Sequence, residues 1–177
     1  IGKLRRHVAR ASTTPRDEWA TRVVEGTVET VDEGALSLKD AFGTSLKELE
    51  REGDAVIISH ISARVADSAS VSKAVVLAMD GVVNASGELD PDHTQLYVPN
   101  EFLAREVRRF PNLLFGASVN PYRKDALQRL EQVKEDGAVL VKWIPAIMHI
   151  DPADPALSAF YAKLKELDLP LLVHVGQ

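Results

Sequence analysis

From Lys73 onward the apolar positions gather into four short, nearly unbroken runs: KAVVLAM (Lys73 to Met79), LLFGASV (Leu113 to Val119), AVLVKW (Ala138 to Trp143) and LLVHV (Leu171 to Val175). Runs of this length, rich in β-branched residues, predict strands covered on both faces. Between them lie segments with helical spacing. NEFLAREVRRFP offers Asn100 as a cap and Pro111 as a terminator, and DALQRLEQVKEDG places Leu127, Leu130 and Val133 on one face before a stop at Gly137. DPALSAFYAKLKELDLP starts with Asp154 as N-cap and Pro155 in the first turn, then repeats Leu157, Phe160, Leu164 and Leu167 every three or four residues. Strands alternating with helices predict successive βα units and a parallel sheet, so the fold class is α/β.

The first seventy residues are less regular. AVIISHISARVAD carries Ile57, Ile61 and Val65 every four residues and predicts a helix feeding the first strand. EWATRVVEGTVETVDEGALSLKDAFG has no clean period and is assigned weak helical character. The expected organisation is one domain over residues 1–177, with a mostly helical or irregular lead-in over 1–70 and βα units over 71–177.

Composition narrows the function classes. The 177 residues include 21 Lys+Arg and 26 Asp+Glu, a net charge of −5, with the signs interspersed. No basic face for a nucleic-acid backbone is visible, and nucleic acid is not expected as a partner. No apolar run approaches the ~20 residues that span a bilayer, and IGKLRRHVARASTTP lacks the apolar stretch of a signal peptide, so the expectation is a cytoplasmic protein with no membrane partner. The chain has no cysteine, which removes disulfides, thiolate metal sites and cysteine nucleophiles. Any metal must then be held by histidine, carboxylate or modified lysine.

In parallel α/β sheets the strand C-termini share one edge, where sites are built. The polar residues ending the four runs are Asp80, Asn120, Lys142 and His174. A neutral imidazole in LLVHVGQ calls for a hydrogen bond or a metal, and an ammonium in AVLVKWIP must be paired, deprotonated or modified. For Lys142, an ion pair with Asp80 and a catalytic role are both open. Trp143 reads as a core or pocket-wall ring, and His149, on the loop after the third strand, as substrate-facing or solvated. His7 and His60 read as packing or surface residues. Asp90, Asp92 and His93 in GELDPDHTQ lack the glycine and distal glutamate of a calcium loop and read as a turn. The common phosphate-loop, dinucleotide and serine-hydrolase signatures are absent.

The succession KAVVLAMDGV, YVPNEFLAREVRRFPNLLFGASVNPYRKDAL and GAVLVKWIPAIMHIDPADPALSAFYAKLKELDLPLLVHVG resembles the amidohydrolase superfamily, specifically the amidohydrolase-related group with decarboxylases of the aminocarboxymuconate-semialdehyde type. The resemblance covers roughly residues 70 to 177. It implies a metal-dependent (β/α)₈ TIM barrel, of which this chain supplies about strands two to five. It also implies a divalent metal, usually zinc, used to hydrolyse or decarboxylate a small organic substrate. His174 matches that family's metal-binding histidine on strand five, and Lys142 falls where some members carry a carboxylated lysine. Asp80, Asn120, Trp143 and His149 would line the substrate pocket. The family's His-x-His pair is absent, since the histidines stand at 7, 60, 93, 149 and 174. The expectation is the N-terminal half of a barrel, completed by flanking residues or by another copy in a homo-oligomer. Rival readings are a Schiff-base lyase using Lys142 and a non-catalytic, degenerate barrel fragment.

Overall fold

The computed structural model describes residues 51–175. His7 and the weak helical assignment over residues 18–43 lie outside the described residues. Four strands, β1 (Ala74–Leu77), β2 (Leu113–Ala117), β3 (Leu140–Trp143) and β4 (Leu171–Val173), form one sheet in the order β1-β2-β3-β4. Every neighbouring pair is parallel. Around them run α1 (Ala55–Ala66), α2 (Asn100–Val107), α3 (Ala126–Glu135), the short α4 (Pro145–Met148) and α5 (Ser158–Glu166), the last preceded by a 3₁₀ turn at Pro155–Leu157. The predicted α/β class is thus observed, as an open parallel sheet with one helix-bearing connection between each pair of successive strands.

Strand pleating sorts the side chains into two different faces. Phe115, Ala117, Val141 and Trp143 point into a core shared with Leu103 and Val107 of α2, Leu130 and Val133 of α3, and Phe160 and Leu164 of α5. The alternate residues do not. Val75 and Leu77 of β1 keep 38% and 36% of their surface exposed, and Leu172 of β4 keeps 44%. No described helix covers that face, which corrects the expectation of strands buried on both sides: an apolar run reports residue type, whereas coverage depends on where the helices pack. Register places Gly116 between Leu77 and Leu140 on this open face. A Cβ at Gly116 would stand 2.6 Å from Leu77 Cδ2 and 2.9 Å from Val75 Cγ1, so neighbouring side chains lean across the space that glycine leaves.

Local signals behave as sequence physics predicts at two helix ends. Asp154 Oδ1 accepts a hydrogen bond from Ala156 N at 2.8 Å, capping the turn into α5, and Gly137 ends the α3 segment at φ +88°. Two details differ. Leu127 is exposed, because the buried stripe of α3 is Ala126, Leu130 and Val133. Asn100 is the first residue of α2 and caps nothing; its side-chain amide donates to Ser118 O (2.7 Å) and accepts from Ser118 N (2.9 Å), tying α2 to the end of β2.

On α2, buried Glu106 receives Arg105 Nε at 3.0 Å and Arg109 Nη1 at 2.6 Å. Burial alone would raise its pKa, but the two guanidinium groups outweigh that and hold it below the ordinary glutamate value. A carboxyl depressed in the folded state stabilises above its unfolded pKa of about 4.3 and loses that contribution as pH falls through the lower folded value. Urea melts should therefore find Glu106→Gln less stable than the parent at pH 6, with the gap narrowing by pH 3.

Candidate functional site

Because all four strands run the same way, their C-terminal ends meet at one edge. Three side chains build the frame of that edge. The buried Asp80 carboxylate accepts Gly81 N (2.9 Å) on Oδ1, Asn120 N (2.8 Å) and Arg123 Nε (2.7 Å) on Oδ2, and a second Arg123 bond from Nη2 to Oδ1. Burial by itself would lower the Arg123 guanidinium, yet the hydrogen bonds and charge of Asp80 more than offset it and raise its pKa. Asn120, fully enclosed, donates from Nδ2 to Gly81 O and Met148 O, both at 2.9 Å, and accepts Tyr122 N at 3.1 Å. Its amide thereby joins the segments that follow β1, β2 and β3.

Asp80 and Asn120 therefore stand at the expected edge with their polar atoms already engaged by protein partners. The expected alternative of an Asp80–Lys142 ion pair is not formed; Arg123 takes that place. Sequence reasoning did not single out Arg123. It sits in NPYRKD beside Lys124, and nothing in spacing distinguishes the arginine that turns inward from the exposed lysine that pairs with Glu88.

Lys142 and Trp143 are consecutive in β3 and so face opposite ways. Trp143 lies on the helix-covered side, fully buried, donating from Nε1 to Val119 O (2.7 Å) with its ring 5.3 Å from that of Phe160. It is a core residue there, separated by the sheet from the open face. Lys142 points to the open face, 7% exposed, and its side chain makes no hydrogen bond or ion pair with any described residue. Leu172 is its register partner on β4. His174 N donates to Trp143 O at 2.9 Å, extending the ladder past β4, so alternation places the exposed His174 on the same side as Leu172 and Lys142. His149 ends α4 in a left-handed conformation (φ 55°, ψ 45°) and is exposed.

The structure thus brings Lys142 and His174 to one face, one strand apart. A zinc site needs at least three protein donors, and among the described residues no group of three His, Asp or Glu side chains is arranged to hold a metal. His93 Nδ1 meets Asp90 Oδ2 at 2.7 Å in an exposed turn. A groove of ≈ 390 Å³ bordered by Arg123, Lys124, Leu127 and Phe160 lies on the helix side of the sheet, away from Lys142. Compared with known proteins, the chain matches no family model, no curated protein and no solved structure.

Removing one partner of the buried Asp80–Arg123 pair strands the other charge, at a cost of about 3–5 kcal/mol. Arg123→Met should lose stability on that scale in urea denaturation, and the Asp80→Leu/Arg123→Met double variant should lose clearly less than the two single losses together.

Proposed function

We propose that this chain forms part of a (β/α)-barrel enzyme of the amidohydrolase-related kind, acting on a small organic substrate by hydrolysis or decarboxylation at the C-terminal edge of the open sheet face. The observation that carries this reading is the placement on that face of Lys142, which has no carboxylate partner among the described residues, beside His174 just past the end of the adjacent strand. The resemblance of VKWIP…IDPADP and LPLLVHVG to that family's fourth and fifth strands supports it. In this scheme the Lys142 amine stabilises negative charge developing on a substrate oxygen, and the exposed His174 imidazole accepts or returns a proton. Asp80, Asn120 and Arg123 keep the rim segments rigid beneath them. Zinc, where bound, supplies Lewis-acid activation; the described residues offer only His174 and Lys142 toward it, and the roles given to these two do not depend on it.

A second reading is favoured by the same amine, which has no partner among the described residues: Lys142 attacks a substrate carbonyl and expels water to form an imine, as in Schiff-base lyases. Two measurements separate these. After loading with zinc and desalting, any zinc found by elemental analysis should be held at least tenfold more weakly in His174→Ala. Borohydride treatment with pyruvate should leave Lys142 unmodified by mass spectrometry. No retained zinc, or equal retention in His174→Ala, removes the metal-dependent reading; a reduced pyruvate adduct on Lys142 replaces it with the lyase.

A further inference from the structure

Helix α3 starts without a side-chain cap. Asp125 precedes it, but its carboxylate turns to Arg129 Nε at 2.9 Å and bonds no amide of the first turn. Ala126 N reaches Arg123 O at 3.1 Å, whereas the N–H groups of Leu127 and Gln128 donate to no described residue. Free amides and the positive end of the helix dipole favour an anion. A second group, from outside the helix, points the same way. Arg123 is buried to 7% exposure and gives Nε and Nη2 to Asp80, while its Nη1 bonds no described residue.

Arg123 and the first turn of α3 border one groove of ≈ 390 Å³, a volume typical of small-molecule pockets. Its other walls are Pro121, Ala156, Ala159 and Phe160, and Leu127 keeps 40% of its apolar surface exposed beside them. The carboxylate on the border, Asp125, has its charge met by Arg129. Lys124, at the mouth, is paired with Glu88 where both are exposed, a weak pair that leaves the amine able to turn toward an anion in the groove.

We infer that this groove binds a small organic phosphate, a phosphomonoester with an apolar body. The phosphoryl oxygens take the amides of Leu127 and Gln128 and the free Nη1 of Arg123, and the apolar portion lies against Leu127, Ala156 and Ala159. The three acceptor oxygens of a phosphomonoester match these three donor groups in number, and guanidinium and helix amides are its usual partners. The groove is on the helix side of the sheet, away from Lys142, so the inference does not rest on the reading above.

The probe is phenyl phosphate, with phenol as its neutral counterpart and inorganic phosphate as an anion lacking an apolar body, each titrated by NMR against the full chain. Phenyl phosphate should bind saturably and move the amide signals of Leu127 and Gln128. Phenol and inorganic phosphate should bind at least about tenfold more weakly, the scale of one charge-assisted hydrogen bond. Ala159 is exposed on α5, where glutamate is a good helix former, so Ala159→Glu sets a carboxylate in the groove wall and leaves the Asp80–Arg123 pair untouched. That variant should keep its melting temperature and lose phenyl phosphate affinity at least about tenfold by charge repulsion. Ala159→Gln, of the same size without the charge, should retain most of the binding. Equal binding of phenol or of inorganic phosphate, Leu127 and Gln128 amides left unmoved, unchanged affinity in Ala159→Glu, or an equal loss in Ala159→Gln would overturn the inference.

Discussion

Two opposite charges removed from water, one shortly after β1 and one shortly after β2, hold the C-terminal edge of this sheet together. Asp80 and Arg123 would each be costly alone in their buried setting, and their mutual bonds, with two backbone donors completing the carboxylate, make the arrangement tolerable. The consequence is geometric. With Asp80 fixed, Gly81 and Asn120 are fixed, and the Asn120 amide then reaches Met148 O beyond β3. Three rim segments become one unit, while the fourth strand joins through the ladder and through Leu171 and Val173 packed against the core, and is followed by the exposed His174.

That rigid frame matters because the sheet above it is lopsided. Helices α2, α3 and α5 bury one face through Phe115, Val141, Trp143 and their partners, and the opposite face, which no described helix covers, carries Val75, Leu77 and Leu172 together with Lys142 and His174. Trp143, one residue after Lys142, faces the other way: it saturates its only donor on Val119 O and anchors α5. Adjacent residues on one strand thus divide between the open face and the core because the pleat alternates.

Much of this was legible beforehand, for identifiable reasons. The four apolar runs, the Asp154 cap and the Gly137 stop each depend on neighbours within a few residues, and local physics acts at that range. The parallel arrangement followed from helices lying between strands. The partner of Asp80 was not legible, since Arg123 is 43 residues away in sequence and chemically equivalent, as a cation, to Lys142 and Lys124. Leu127 misled for a related reason: its spacing fits a stripe with Leu130, but the buried stripe runs through Ala126.

By itself the sequence determined the four strands and the longer helices among the described residues, their order, and the polar residues that follow the strands, because hydrogen-bond geometry and apolar periodicity are properties of short stretches. Only the tertiary structure decided which cation neutralises Asp80, that Asn120 serves the frame, and that of the two sides to which Lys142 and Trp143 point the described helices cover the one facing Trp143. Those outcomes depend on distances between residues far apart in the chain, where several chemically adequate partners compete and packing selects one.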